Sequence, residues 1–165
     1  MANLVVDIGN SRTKIAVFKD RELICTEAFT EVTPETLGSL TERYEVTSSI
    51  LSSVTSFDEK LAAVLESKTR YIRFSSDRSA NVHVHYRTPR TLGLDRLAGV
   101  IAAHALYPGQ NSLVIDAGTC ITYDMVDSKG NYEGGSISPG LDMRLKAMHT
   151  FTGRLPLVEK TGDFP

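Results

Sequence analysis

The 165-residue sequence has no tryptophan, only two cysteines and no large excess of either charge. Eighteen lysines and arginines against twenty aspartates and glutamates give a net charge of −2. The strong positive charge that nucleic-acid binding usually requires is therefore missing, and no nucleic-acid partner is predicted. Cys25 and Cys120 are too few for a disulfide framework or a cysteine-based metal site, and we expect both to be reduced and half-buried.

Long apolar runs are missing as well. The longest mostly apolar stretch, residues 97–107, is shorter than the roughly 20 residues that span a bilayer, and it contains His104. The first residues pass directly into a strand-like run, without the basic and apolar segments of a secretory signal. The sequence therefore predicts a cytoplasmic globular protein without a membrane partner.

An internal repeat is what the sequence does contain. Residues 4–17 align without a gap with residues 113–126, at a constant spacing of 109 positions. Six of the fourteen aligned pairs are identical, and they include the aspartate and the glycine of an Asp-x-Gly motif. Buried strands draw on few residue types, which explains part of the match, but the shared Asp-x-Gly is harder to explain in that way.

Hydrophobic periodicity predicts a similar order of elements in both halves of the chain. In the first half we predict strands at 3–7, 13–19, 22–29, 46–54 and 70–74, and helices at 34–44, 57–67 and 94–106. In the second half we predict strands at 112–117, 121–127 and 132–138, and a helix from 140 to about 150. The apolar residues expected to share the buried face of helix 94–106 are Leu94, Leu97, Ala98, Ile101, Ala102 and Ala105.

Three antiparallel strands followed by helices and strands, twice over, resemble the duplicated ribonuclease-H-like fold of the actin-like ATPases and sugar kinases. We therefore predict an α/β protein with two such lobes, residues 1–110 and residues 111–165. The second lobe is expected to be truncated, because no helix–strand–helix unit follows residue 150 and residues 161–165 read as a loop. On this interpretation the chain is a fragment.

Residues 7–14, Asp-Ile-Gly-Asn-Ser-Arg-Thr-Lys, connect the first two predicted strands. Gly9 permits a tight turn whose backbone N–H groups can approach an anion, and Lys14 adds a positive charge. Asp7 at the strand end suits a hydrated Mg²⁺ ion. The same residues fit a plain hairpin, but the recurrence of the motif at residues 116–119 favours two phosphate-binding turns.

Three further segments carry polar groups whose role the pattern alone leaves open. Asp95, in Gly93-Leu94-Asp95-Arg96 at the start of a predicted helix, is either a general base or a carboxylate that complements the helix N-terminus. Residues 134–140, Gly-Gly-Ser-Ile-Ser-Pro-Gly, fit an anion-binding strand-to-helix junction or a plain turn with proline near the first helical position. His83 and His85 share one face of an extended segment, where a metal site would need a third ligand.

Taken together, these segments resemble the motifs of the type III pantothenate kinases. Four motifs occur in order: Asp-x-Gly-Asn-(Ser/Thr)-x-x-Lys at residues 7–14, Gly-x-Asp-Arg at 93–96, Asp-x-Gly-Thr at 116–119 with Thr122 and Asp124 downstream, and Gly-Gly-x-Ile-x-Pro-Gly at 134–140. Each motif alone is weak. The ordered set is specific and extends over essentially the whole chain.

The resemblance implies a homodimer that uses ATP to phosphorylate pantothenate in the first step of coenzyme A biosynthesis. It implies that Asp95 is the proton acceptor and that residues 93–96 and Tyr86 contact pantothenate. Asp7 would also hold Mg²⁺ through water, and Asp116 would bind an activating potassium or ammonium ion. The residues that would hold the ATP phosphates are Asp7, Ile8, Gly9, Asn10, Ser11, Arg12, Thr13, Lys14 and Thr119.

Two other classes of function stay open. One is another small-molecule kinase, or a phosphatase, of the same fold, because a fold does not determine a substrate. The other is a non-enzymatic regulatory protein, since some relatives were first described as accessory factors for transcription. The segments at 93–96 and 134–140 argue against the first class, and an intact candidate base with two phosphate turns argues against the second.

Overall fold

Two compact units make up the chain, and each is built on its own sheet. The structure is a computed structural model that describes residues 1–85, 88 and 91–159. Unit 1 contains residues 1–78 and 93–95, and unit 2 contains residues 79–92 and those from 96 onward.

Unit 1 has a five-stranded sheet in the order β3-β2-β1-β4-β5. Its strands are β1 (Ala2–Ile8), β2 (Thr13–Lys19), β3 (Glu22–Phe29), β4 (Val46–Ser53) and β5 (Arg70–Arg73). The first three strands are antiparallel, and β4 and β5 continue the sheet parallel to β1. Asp20 and Arg21 form the two-residue loop between β2 and β3 with φ of 50° and 74°, as a type I′ hairpin turn requires.

Helices α1 (Pro34–Arg43) and α2 (Glu59–Lys68) contribute to the core of unit 1. Alternate residues of β1, such as Leu4 and Val6, are buried in one cluster with Leu37 of α1 and Leu65 of α2. The alternation follows from the two-residue period of a strand, which sends Asn3, Val5 and Asp7 to the opposite face.

Side-chain caps mark where both helices of unit 1 begin. Thr33 accepts a hydrogen bond at its hydroxyl from the Thr36 N–H at 3.3 Å, and Pro34 follows it in the first turn. Asp58 accepts a hydrogen bond from the Lys60 N–H at 2.9 Å. Threonine and aspartate are preferred at this position because they satisfy an N–H group that has no acceptor within the helix.

Unit 2 has a four-stranded sheet in the order β6-β9-β8-β7. Its strands are β6 (His83–Val84), β7 (Ser112–Ala117), β8 (Cys120–Val126) and β9 (Asn131–Pro139). Strands β7, β8 and β9 are antiparallel like β1, β2 and β3, which confirms the structural repeat, and β6 runs parallel to β9. The remaining helices are α3 (Leu94–Leu106) and α4 (Leu141–Phe151), and the unit boundary crosses the first turn of α3.

The predicted α/β fold with two sheets is confirmed, and every predicted strand and helix is present with ends within two residues of those expected. The compact units do not follow the predicted ranges of 1–110 and 111–165. Residues 79–92 and most of α3 group with the second sheet, because β6 pairs with β9 and α3 packs on β7. Helix α3 and strand β7 approach each other closely at Gly99, where an added Cβ would lie 3.2 Å from Val114 Cγ1.

Two details of the prediction are corrected by the structure. The buried residues of α3 are Arg96, Leu97 and Val100, whereas Ala98, Ala102 and Ala105 of the predicted apolar face are exposed. The helix is turned in this way because a charged side chain, Arg96, is buried with an ion-pair partner. The proline of residues 134–140 ends β9 and does not enter the first turn of α4, and the two-residue strand β6 was not predicted.

Cys25 and Cys120 are free and half-buried, as predicted. His85 Nε2 lies 3.3 Å from Asn131 Oδ1. Within the described ranges, no three side chains of His, Cys, Asp or Glu form a group that could hold a metal ion. None of the helices in those ranges is long and apolar enough to cross a membrane.

Candidate functional site

The β1–β2 turn, residues 9–12, is the first candidate phosphate site and belongs to unit 1. The Gly9 N–H donates to the Arg12 carbonyl at 3.1 Å and closes the turn. Residues 10–12 are exposed at its tip. The strand register pairs Asp7 with Lys14, so a carboxylate and an ammonium group lie side by side at the base of the turn.

Ile8 and Thr13, which belong to the predicted phosphate-binding set, have buried side chains that are 8% and 7% exposed. Both residues point to the face that packs into the core. They can therefore contact a phosphate only through their backbone. The exposed side-chain donors of the segment are Asn10, Ser11, Arg12 and Lys14.

A polar row crosses three strands beside this turn. The register places Ser52 of β4 on one side of Asp7 and Lys14 of β2 on the other, all on the face opposite to α1 and α2. The Ser52 hydroxyl is buried and has no hydrogen-bond partner among the described residues. A buried hydroxyl without a partner is unfavourable unless water or a ligand satisfies it, so the row fits a hydrated cation or a phosphate. The sequence pattern did not predict Ser52, because it is one of several serines in β4.

The β7–β8 turn, residues 118–119, is the second candidate site and belongs to unit 2. The Gly118 N–H donates to the Cys120 carbonyl at 2.8 Å, and the register pairs Asp116 with Thr122. Asp116 and Thr119 are exposed. Carboxylate, hydroxyl and backbone carbonyl oxygens are hard donors of the kind that alkali cations accept, and the donor set fits such an ion.

Gly140 supports the β7–β8 turn from the adjacent strand end. Its N–H donates to the Thr119 carbonyl at 3.0 Å, and a Cβ at this position would lie 2.3 Å from the Gly118 carbonyl oxygen. Only glycine allows two backbones to approach this closely. Arg144 of α4 donates to the Pro139 carbonyl at 2.8 Å and holds the same junction.

Asp95 is exposed in the first turn of α3. Together with Gly93 and Leu94 it groups with unit 1, the unit that contains the β1–β2 turn. The structure thus brings the candidate base and the first candidate phosphate site into the same compact unit. Tyr86, the other predicted substrate contact, lies outside the described residues.

Arg96, the next residue, has a buried guanidinium. Its Nε donates to the two carboxylate oxygens of Asp124 at 3.0 and 3.1 Å, and its Nη2 donates to Asp124 Oδ1 at 2.6 Å. Tyr132 donates its hydroxyl to the same oxygen at 2.6 Å. The side chains of Arg96 and Asp124 are only 6% and 1% exposed. We call Arg96, Asp124 and Tyr132 the Arg96 cluster.

Gly135 of β9 provides the space that the carboxylate of this cluster occupies. A Cβ at Gly135 would lie 2.6 Å from Asp124 Oδ1 and 1.8 Å from the Tyr123 carbonyl oxygen. The sequence marked Asp124 only through the family resemblance and did not mark Tyr132. A tyrosine in a strand reads as an ordinary core residue, and no local signal shows that its hydroxyl has a charged partner.

Asp127 closes the turn between β8 and β9. Its Oδ1 accepts hydrogen bonds from the N–H groups of Lys129 and Asn131 at 2.8 Å, and its Oδ2 accepts one from Asn131 Nδ2 at 2.7 Å. The hydrogen bond from the Asn131 side chain, followed by those from backbone N–H groups, lowers the pKa of Asp127 below its ordinary value. The turn therefore depends on an ionised carboxylate.

Comparison with known proteins agrees with these motifs. The profile of a family described as type III pantothenate kinase matches residues 3–163. A protein of that name from Bacteroides fragilis (strain YCH46) is 45% identical over 164 residues, which are 99% of this chain and 68% of that protein. Another from Porphyromonas gingivalis (strain ATCC BAA-308 / W83) is 41% identical over 164 residues, 99% of this chain and 67% of its own length.

Among solved structures, the type II variant of the Aquifex aeolicus Ppx/GppA phosphatase is similar in fold. The TM-score is 0.53 at 12% sequence identity, over 96% of this chain and 58% of that chain. At this identity the likeness shows the fold alone. It agrees with the predicted α/β fold with two sheets.

Proposed function

The chain belongs to the type III pantothenate kinase family, and on this premise we propose that it transfers the γ-phosphoryl group of ATP to the hydroxyl of pantothenate. That reaction is the first step of coenzyme A biosynthesis. The observation that carries the proposal is the match of the family profile to residues 3–163, a range that contains both glycine turns and the carboxylate in the first turn of α3. Another kinase, a phosphatase or a regulatory protein lacks such an observation in its favour.

We assign the ATP phosphates to the β1–β2 turn with Lys14, and to Thr119 of the β7–β8 turn. Phosphoryl transfer depends on positioning and on neutralisation of the phosphate charge more than on covalent chemistry. Backbone N–H groups and Lys14 supply both, and Mg²⁺ bound to ATP supplies further positive charge. Asp7 would hold that Mg²⁺ through water, beside the Ser52 hydroxyl, which has no hydrogen-bond partner in the described part of the chain.

We assign Asp95 as the proton acceptor. As the pantothenate hydroxyl oxygen forms its bond to the γ-phosphorus, the hydroxyl proton moves to the Asp95 carboxylate and ADP leaves. An exposed carboxylate at the head of a helix is accessible to a substrate that arrives from solvent. Pantothenate is assigned to residues 93–96 and Tyr86, and Arg96 is expected to contribute through its backbone because Asp124 engages its guanidinium.

We further assign a potassium or ammonium ion to Asp116, because carboxylate, Thr122 hydroxyl and turn carbonyl oxygens lie at one strand end. A fixed cation there would add positive charge to the phosphate environment. We also propose that the chain forms a homodimer and acts in the cytoplasm.

The test is ADP release from Mg²⁺-ATP in potassium buffer, with and without pantothenate. We expect release to depend on pantothenate, and Asp95→Asn to lower turnover by about 10²–10⁴-fold while the Kd for ATP changes little. Asp142→Asn is the matched control, since Asp142 lies at the same place in α4 as Asp95 in α3 and is also exposed. Equal ADP release with and without pantothenate would refute the proposed function.

A further inference from the structure

We propose that Asp124 and Tyr132 are positioning residues for Asp95. By fixing the guanidinium of Arg96 they hold the first turn of α3, and with it the carboxylate of the preceding residue, in one orientation. This role rests on the proposed function of Asp95 as proton acceptor. It would give a function to a buried charged cluster next in sequence to the proposed base.

The geometry of the cluster fixes the Arg96 side chain in direction as well as in place. Three N–H···O contacts to one carboxylate use the planar fork of the guanidinium, which matches a carboxylate in only a few relative orientations. The Tyr132 hydroxyl adds a fourth hydrogen bond to Asp124, and the Tyr132 side chain is fully buried. Burial strengthens these bonds because water does not compete for them.

The partners of Arg96 stand on rigid elements. Asp124 lies within β8 and Tyr132 within β9, and these strands pair along most of their length. The same β7–β8 hairpin ends in the turn that contains Thr119, so one hairpin carries a candidate ligand site and the anchor of α3. Side chains on strands hold a neighbouring group more accurately than side chains on loops.

The N-terminus of α3 is held in a different way from those of α1 and α2. Helices α1 and α2 begin at capping side chains, Thr33 and Asp58. In α3 a side chain of the first turn itself reaches into the sheet, and Leu97 and Val100 follow it as buried apolar residues. Burial of Leu97 and Val100 favours a packed helix without directional bonds, whereas the Arg96 hydrogen bonds would determine how its first turn is rotated.

Stability alone does not require such a cluster. Well-packed apolar residues of similar volume often replace a buried ion pair without loss of stability. An apolar set, however, has no directional bonds that would orient the turn beside Asp95. The Arg96 cluster therefore fits a positioning role, and its loss should change catalysis more than ATP binding.

The mild test variant is Tyr132→Phe, which removes one hydroxyl and keeps the ring, and the stronger one is Asp124→Asn. We expect kcat to fall by about 10-fold and about 10²-fold respectively, because a misplacement of the order of 1 Å has effects of that size. The KM for ATP should stay within about twofold, since neither variant removes a hydrogen bond of the β1–β2 turn or of the β7–β8 turn. Tyr71→Phe is the matched control, because the Tyr71 hydroxyl is buried without a partner among the described residues.

A double variant separates positioning from general damage. If Asp124 acts through Asp95, then Asp95→Asn with Asp124→Asn should be about as slow as Asp95→Asn alone. If the two losses multiply, the proposal is overturned. If Asp124→Asn fails to fold, the double variant is built with Tyr132→Phe instead and is judged by the same criterion.

Amide hydrogen exchange gives a readout that does not depend on activity. In a helix that begins at Leu94, the N–H groups of residues 98–100 bond to the carbonyls of residues 94–96. In Tyr132→Phe we expect faster exchange at 98–100 and unchanged exchange at 38–40 of α1. Uniformly faster exchange, or a local change with an unchanged kcat, would refute the positioning role alone. Full activity of Asp95→Asn would instead refute the proposed base.

Discussion

Removal of the Asp124 carboxylate should destabilise the protein strongly. In Asp124→Ala the guanidinium of Arg96 stays buried without its counter-charge, and the Tyr132 hydroxyl loses its acceptor. Both partners of the ion pair are almost inaccessible to water, at 6% and 1% exposure, so solvent cannot replace the lost bonds without local opening. A buried charge without a partner is among the few single changes with a large effect on stability.

The expected loss is about 3–5 kcal/mol in the free energy of unfolding, the usual result of breaking a buried pair by removing one partner. That is a large part of the roughly 5–15 kcal/mol that stabilises an ordinary domain. With a urea dependence of about 2 kcal/mol per molar, the unfolding midpoint should fall by about 1.5–2.5 M.

An exposed ion pair in the same chain provides the control. Arg73 and Glu59 are joined at 2.9 Å, but their side chains are 53% and 67% exposed. Glu59→Ala should therefore lower the free energy of unfolding by no more than about 1 kcal/mol. The double variant Arg96→Met with Asp124→Leu should recover most of the loss, because it removes the charge together with its partner.

Urea unfolding followed by circular dichroism measures all four proteins under the same conditions. If the ion pair is buried, the urea midpoint of Asp124→Ala should lie well below that of Glu59→Ala. Similar midpoints for these two variants would show that water reaches the Arg96 cluster, and the reasoning from its burial would then be wrong.

Three further predictions concern the turns. Gly140→Ala should lower the free energy of unfolding by about 1–3 kcal/mol in urea melts, because its Cβ would meet a carbonyl oxygen at 2.3 Å. Gly153→Ala is the control and should change it by no more than about 0.5 kcal/mol, because an added Cβ would have open space around it. Similar losses in the two variants would contradict this prediction. Since hydrogen bonds from Asn131 lower the pKa of Asp127 below 3.8, its contribution to stability is complete above pH 3.8 and is lost as pH falls through the lowered value. Asp127→Ser should therefore flatten the dependence of the urea midpoint on pH in that range, and an unchanged slope would contradict this. Replacing potassium with sodium at constant ionic strength should reduce turnover severalfold. Asp116→Asn should remove most of that difference between the two salts and lower the maximal rate. Equal wild-type rates in both salts would exclude the cation site.

Local patterns were sufficient to predict the strands and helices. Strand β1 alternates buried and exposed side chains because one face packs on the helices, and this period is readable in the sequence. The predicted strands 13–19 and 22–29 leave only residues 20–21 between them, and the positive φ values of these two residues satisfy a two-residue hairpin. The Asp-x-Gly repeat gave the relation between the two halves, because both copies follow a strand and precede an antiparallel partner.

Partners distant in sequence explain what the pattern missed. The face of α3 was predicted from apolar residues, yet the residue that sets it is Arg96, whose partner Asp124 is 28 positions away. Strand β6 has only two residues, too few for a period, and exists because β9 offers it a free edge. Ser52 became a candidate only when the register placed it beside Asp7.

The glycine segment at 134–140 has a packing role at two of its positions. Gly135 and Gly140 are both required by close approach, the first to the Tyr123 carbonyl and the Asp124 carboxylate and the second to the β7–β8 turn. Their kinetic consequences should differ, however. On the proposed roles, a change at Gly135 would act through the Arg96 cluster on the first turn of α3. A change at Gly140 would act through Thr119 on the proposed phosphate site. The first should therefore lower kcat, whereas the second should raise the KM for ATP.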